Sequence, residues 1–301
     1  MIQRFHSAVL LMLAAMLIAA SASAQDKQQD KLKAVATISI IGDLVKSVGG
    51  DRVEVTTLVG PNSDAHVFSP TPSDAKTLGA AKAVFINGMG LEGWITRLVA
   101  AAGTKATPVV VSAGIKPRQA EEGGHHAVDP HAWQSVANVK IYVANIRNGL
   151  KKADPAGAAV YDANAKVYLD KLDELEREVR DTIQKIPADR RKIITTHDAF
   201  GYFGQAYGVQ FIAPLGVSAE SQPSARDVAK IIGQVKRQKI PAVFMENISD
   251  PRMMQQIARE TGAKIGGTLY SDALSDAGGP AATYLDMMRS NVRELAKVLA
   301  P

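Results

Sequence analysis

Apolar residues along this chain follow two rhythms. Short β-rich runs at 34–40, 53–59, 83–87 and 108–111 alternate with segments of helical apolar spacing at 41–48, 73–81 and 91–102. The alternation resumes at Lys192. Runs at 192–196, 209–213, 242–246 and 264–269 are separated by helical patterns at 200–207, 224–238 and 251–261, and a last helical pattern, 281–299, closes the chain. Strand-like runs alternating with amphipathic segments predict βα units and parallel sheets. The expected fold is therefore α/β, with two lobes, each built on a mainly parallel four-stranded sheet. No internal sequence repeat relates the lobes, and 119–126 (QAEEGGHH) reads as a short polar loop.

One long helical pattern, 155–186, lies between the two sets. Tyr161, Ala165, Tyr168, Leu172, Leu175, Val179, Ile183 and Ile186 recur on one face, Pro155 suits a first helical turn, and Pro187 supplies the stop. A helix of this extent would be roughly 45–50 Å long, enough to run along the backs of two lobes and join them. A coiled-coil segment is the alternative, but the stripe lacks clear e/g charge pairing. The expected division is a flexible tail at 25–33, an N-terminal lobe at 34–150, an interlobe helix at 151–187 and a C-terminal lobe at 188–301.

Ahead of the tail, residues 1–24 contain Arg4, an apolar stretch over 8–20, and the small-residue ending Ala22-Ser23-Ala24. This reads as a secretory signal peptide cut after Ala24. A membrane anchor is the alternative, although the stretch is shorter than the roughly 20 residues that span a bilayer. The chain has no cysteine on which a bacterial lipid anchor could be built. The expected location is thus the periplasm, as an exported, soluble protein that is not lipid-anchored.

The missing cysteines also constrain chemistry. Disulfide scaffolds, iron–sulfur clusters, thiolate zinc sites and cysteine nucleophiles are excluded, so any metal site must use histidine and carboxylate. With 46% hydrophobic and 22% charged residues, the 301-residue chain has a globular composition. Its formal charge of +5 comes from 35 Lys+Arg against 30 Asp+Glu, interleaved as in KLDELER at 171–177. That reads as solvated surface; a nucleic-acid face would cluster its basic residues with aromatics between them. There is no G-x-S-x-G, H-E-x-x-H or P-loop motif. Gly88, Gly90 and Gly93 match G-x-G-x-x-G, but no acidic residue stands about 20 positions on for a ribose, so they read as a tight turn into a helix.

The histidines are more telling. His66, His131 and His197 sit in comparable surroundings (SDAHVF, VDPHAW and TTHDAF), each beyond a β-run or in a loop approaching a helix, and Asp272 follows the last predicted strand in the same way. In parallel α/β sheets ligand residues gather outside the carboxyl ends of the strands. Singly, each histidine could be structural. Jointly, spaced across both lobes, they suit a metal held in the interlobe cleft.

At this point the sequence resembles a known family, the zinc- and manganese-binding periplasmic solute-binding proteins of bacterial ABC importers (cluster A-I). The resemblance covers nearly all of the chain after the signal peptide. It includes GPNSDAHVFSPTPSD around His66, VFINGMGLEGW, DPHAWQS around His131 and THDAFGYFGQAYG around His197. It continues through SAESQPSARDVAKI at 218–231, VFMENISD at 243–250 and LYSDALS around Asp272. The resemblance implies two α/β lobes joined by a backbone helix, and metal ligands at His66, His131, His197 and Asp272. Three imidazoles and one carboxylate suit tetrahedral Zn²⁺, whereas Mn²⁺ favours more oxygen. Manganese receptors of the family commonly carry Glu where this chain has His197, so Zn²⁺ is expected, with Mn²⁺ or dual Zn/Mn use as the alternative.

Candidates to orient the rings are Asp64, Asp129, Asp198 and Glu246, each with helix capping or turn chemistry as its other reading. Glu121, Glu122, His125 and His126 could form a metal-collecting loop, or be an exposed turn. Trp133 is expected near the site or the interlobe seam, and Trp94 in core or lobe surface. The expected function is a periplasmic high-affinity Zn²⁺ receptor, not an enzyme. It would dock as a monomer on an ABC permease with its ATPase subunit, with a periplasmic metallochaperone as a further candidate partner and no nucleic acid. A His₃-type metal-dependent hydrolase and an exported adhesive or scaffolding protein are the alternatives. Affinity is expected to fall below about pH 6, where free imidazole protonates.

Overall fold

The first β-rich run forms β1 (Leu32–Ile38), whose residues from Ala34 onward are all buried. Helix α1 (Ser39–Gly49) follows without a loop and leads to β2 (Val53–Val59). A capping box between Thr71 and Asp74 starts α2 (Pro72–Ala80), before β3 (Ala83–Ile86), α3 (Ile95–Ala102) and β4 (Val109–Val110). These four strands pair in parallel in the order β2-β1-β3-β4. The computed structural model describes residues 30–122, 125–218 and 224–300. The predicted signal peptide, most of the predicted tail and positions 219–223 of the SAESQPSARDVAKI motif lie outside them.

The expected loop at 119–126 is instead an antiparallel hairpin, β5 (Gln119–Glu122) with β6 (His125–Val128), which sets Glu122 opposite His125 and Glu121 opposite His126. A second difference is α4 (Val136–Ala153), an 18-residue helix that the pattern did not disclose. Asn138, Asn145, Asn148 and Gly149 dilute its stripe, yet Val136, Val139, Tyr142, Val143, Ile146 and Leu150 are buried at helical spacing.

The long helix is α5 (Ala158–Gln184), preceded by a 3-10 turn over Pro155–Gly157. Its 27 residues span about 40 Å, and every member of the predicted apolar stripe is buried. The stripe faces α1, α4 and the C-terminal helix, so it belongs to the core of the molecule.

The second lobe contains β7 (Lys192–Ile194), α6 (Gly201–Tyr207), β8 (Gln210–Ile212), α7 (Ala225–Gln238), β9 (Ala242–Glu246), α8 (Arg252–Thr261), β10 (Lys264–Leu269) and α9 (Tyr284–Leu299). Its sheet order is β10-β9-β7-β8, again all parallel. Counted within its own lobe, each sheet runs second, first, third, fourth. The two lobes therefore share one topology without sequence repetition. In each, the strand order reverses beside the lobe's first strand, where parallel α/β sheets open a crevice.

One apolar core runs through the first lobe, along α4 and α5, and into the second lobe as far as α9. A smaller cluster of Ile194, Ile231, Val235, Ile240, Val243, Met254, Ile257 and Ala258 lies on the α7/α8 side of the second sheet. The described residues from Leu32 onward form one compact unit. Among the described residues no helix is long and apolar enough to cross a membrane.

Candidate metal centre

Four side chains from four separate segments converge between the lobes. His66 lies in the loop after β2, His131 ahead of α4, His197 after β7 and Asp272 after β10. One donor atom from each can be chosen so that all lie within 4.8 Å of one another. His66 Nε2 is 3.3 Å from His131 Nε2 and 3.4 Å from Asp272 Oδ2. His131 Nε2 is 3.5 Å from Asp272 Oδ1, and His197 Nε2 is 3.3 Å from Asp272 Oδ2. His66 keeps 7% of its side-chain surface exposed, and the other three keep none.

Each segment is held from behind. The Asp129 carboxylate accepts both the backbone N–H of His131 (2.9 Å) and its Nδ1 (2.8 Å), which directs Nε2 inward. Arg118 Nη1 caps the other Asp129 oxygen at 2.7 Å. Glu246, at the end of β9, does the same for His197. One oxygen accepts the N–H groups of Thr196 (2.7 Å) and His197 (3.1 Å), and the other meets Nδ1 at 2.5 Å. Because β7 and β9 are neighbours, this contact sits at the sheet's point of order reversal. The Asp272 loop is fixed from both lobes. Trp133 Nε1 and Gln134 Nε2 each donate to the Ser271 carbonyl at 2.8 Å. The side-chain amide of Asn291 pairs with Tyr270 N–H and carbonyl at 2.8 and 2.9 Å.

The electrostatics follow from burial. Desolvation pushes His131 towards neutrality, but the Asp272 charge and the Asp129 hydrogen bond outweigh it and hold the imidazole at about 9. Burial acts the same way on His197, and Glu246 and Asp272 overcome it, leaving the ring well above the ordinary histidine range. Burial would raise Asp272, yet His131 and His197 hold its carboxyl well below the usual range. His197 Nε2 and both Asp272 oxygens have no hydrogen-bond partner although fully buried. Buried polar atoms left in this state are costly unless something else satisfies them. A cation at their common focus does so, and neutral imidazoles with a carboxylate are divalent-metal donors.

Two of the four ring-orienting candidates act otherwise. Asp64 accepts the backbone N–H of His66 at 2.8 Å, a turn contact that leaves the imidazole alone. Asp198 lies 3.6 Å from Arg118, while its own N–H donates to the Gly216 carbonyl. His125 and His126 are exposed on the hairpin and do not belong to the His/Asp group. Trp133 is buried with its ring 5.2 Å from that of His131. Trp94 precedes α3 and has a positional task that sequence reading missed, since its Nε1 donates at 3.0 Å to the carbonyl of Ala65, one residue before His66. Arg118, Gln134 and Asn291 were also missed, because their partners are remote in sequence. The glycine turn is closed from within. Buried Glu92 accepts the N–H groups of Asn87 and Gly88 at 2.6 and 3.0 Å and the Thr37 hydroxyl at 2.6 Å, leaving those donors nothing to offer a phosphate.

Comparison with known proteins agrees with this architecture. The family model described as "ZnuA: Zinc-uptake complex component A periplasmic" matches residues 34–298, and the chain belongs to that family. It is thereby a metal-binding substrate-binding protein of the ABC-importer class, a class of binding proteins and not of enzymes. Among relatives, the iron-binding protein YfeA of Yersinia pestis is 35% identical over 286 residues, covering 93% of this chain and 91% of that protein. The manganese-binding lipoprotein MntA of Halalkalibacterium halodurans is 37% identical over 92% of each chain. Among solved structures, the periplasmic zinc binding protein TroA from Treponema pallidum superposes with a TM-score of 0.85 at 31% identity, covering 90% of this chain and 100% of that one. These names correct one expectation. MntA and the Streptococcus pneumoniae manganese ABC transporter substrate-binding lipoprotein PsaA, 32% identical over 97% of each chain, are lipoproteins by name. The expectation of a soluble protein without lipid anchor does not stand. It rested on a cleavable signal peptide, no later membrane-spanning stretch and no cysteine, all features of this one sequence, whereas these relatives are named lipoproteins.

Proposed function

We propose that the chain captures Zn²⁺ at His66, His131, His197 and Asp272 and delivers it to an ABC permease powered by its ATPase subunit. The observation that carries this reading is the spacing of the donors. A tetrahedron with metal–nitrogen bonds of about 2.0–2.1 Å has edges of about 3.3–3.4 Å. With Asp272 Oδ2 as the single carboxylate donor, three of the donor–donor distances here are 3.3, 3.4 and 3.3 Å, and all four donors lie within 4.8 Å of one another. All four donors come from one chain, so a monomer suffices. The lobes at 34–150 and 188–301 would close on the ion while the 151–187 segment joins them.

A second reading, Mn²⁺ or Fe²⁺ as cargo, has one specific feature in its favour. Asp272 directs Oδ1 towards His131 and Oδ2 towards His66 and His197, so the carboxylate can supply two oxygens and raise the donor count to five. Harder ions accept that set better. A hydrolytic role lacks its parts. Asp272 takes the position a water would need, and the adjacent carboxylates Asp129 and Glu246 are engaged by imidazole and backbone N–H groups.

Calorimetric titration with Zn²⁺, Mn²⁺ and Fe²⁺ under anaerobic conditions tests both readings, with Trp133 fluorescence as a second signal. Tightest binding of Zn²⁺ at one site per chain is expected. Tighter binding of Mn²⁺ or Fe²⁺ would establish the second reading, and no tight site for any of them would remove both.

A further inference from the structure

Asn62 stands four residues before His66 with a left-handed backbone, φ 53°. Asparagine tolerates that region better than other side chains. Here it aims three groups across the cleft. The backbone N–H donates to the Leu274 carbonyl at 2.9 Å, and Nδ2 donates to Asp276 Oδ2 at 3.0 Å. Oδ1 accepts from Asn247 Nδ2 at 3.2 Å. These partners lie on the two second-lobe segments that serve the site, since Asn247 follows Glu246, and Leu274 and Asp276 follow Asp272. Asn247 Nδ2 also donates to the Ala273 carbonyl at 3.2 Å, which joins the two segments to each other. One first-lobe residue thus stitches both segments together at the exposed rim of the site while touching none of the four donors.

We infer that Asn62 is a positioning residue that latches the lobes over the ion and sets how fast the metal leaves. The inference rests on the metal-receptor reading. Three of the four donors are wholly buried and the donors come from both lobes, so parting the lobes frees an ion at their focus, and parting them breaks all three Asn62 bonds. The donors set the geometry of the bound state; the latch acts on the opening step.

The test is the release rate of Zn²⁺ from the loaded full chain into excess chelator, followed by stopped flow. Asn62→Gly keeps the left-handed backbone and its N–H bond but removes the side chain, and is expected to release about threefold faster. Asn62→Asp sets a carboxylate against Asp276 and is expected to release about tenfold faster. The double variant Asn62→Asp/Asp276→Asn exchanges donor for acceptor and should return to within about twofold of the wild type. Loss of structure alone gives no such rescue. A wild-type rate in Asn62→Asp, or a double variant as fast as Asn62→Asp, overturns the latch while leaving the receptor intact. A wild type that takes up no metal overturns both.

Discussion

His131 and His197 differ from His66 in what stands behind the ring. Each of the first two is wholly buried, with Nδ1 bound to a carboxylate that also holds the local backbone. His66 is partly exposed, and its nearby carboxylate, Asp64, binds the main chain. A carboxylate behind an imidazole fixes its tautomer and orientation and strengthens it as a donor. The centre therefore combines a pre-set part, made of His131, His197 and Asp272, with a solvent-facing fourth member.

The largest effect should come from the pre-set part itself. Asp272→Ala removes the charge that two buried imidazoles share, and is expected to lower metal affinity by about 100-fold or more, measured by competition with a chelating dye. His66→Ala should lose less than His131→Ala or His197→Ala; equal losses would break the distinction between the two parts.

Next come the supporting carboxylates. Glu246→Gln and Asp129→Asn are expected to weaken binding by about 10–100-fold. Asp64→Asn should stay within about threefold, because its contact is with backbone. A loss at Asp64 as large as at Glu246 would mean that His66 is also oriented from behind.

Proton competition sharpens the same contrast. His131 holds its proton up to about 9 in the metal-free fold. Metal needs both rings neutral, and His197 is raised as well, so affinity should fall at least about tenfold per pH unit below about 9 rather than only below about 6. Stability of the metal-free protein should run the opposite way. The raised His131 contributes stability that is fully present below its unfolded value of about 6.5 and is lost as pH rises through about 9. Melting temperatures against pH, with and without metal, should therefore slope in opposite directions between those limits.

The smallest effect belongs to the seam. Ser39 Oγ accepts the N–H of Leu274 at 2.9 Å across the lobes. Ser39→Ala should cost about 1 kcal/mol of stability in thermal unfolding, with little change in metal affinity.

Much of this was legible beforehand. The eight strands of the two lobe sheets and the buried stripe of α5 were readable because periodicity is local and burial on one face demands it. Helix α4 was less so, since its asparagines and glycine blur the stripe that Tyr142 and Ile146 complete. The β5–β6 hairpin was hidden by a polar run whose strand character depends on pairing. The part of Asp129 could be suspected from its place two residues before His131. That of Glu246 could be guessed only from the end of a strand, and Asp64 looked equally suitable until its oxygen was seen on a backbone N–H.

The sequence by itself determined the strands of the two lobe sheets and the long interlobe helix, that any metal site must be built from imidazole and carboxylate, and which histidines stand beyond strands or before helices. These are properties of neighbouring residues. Tertiary structure alone decided which carboxylate backs which ring and what joins the lobes, because those partners are far apart along the chain. Glu246 reaches His197 across 49 residues, Trp133 reaches the Asp272 loop across 138, and Asn62 reaches Asp276 across 214. No local pattern records such pairings; they exist only once the two lobes have been brought together along the buried face of one helix.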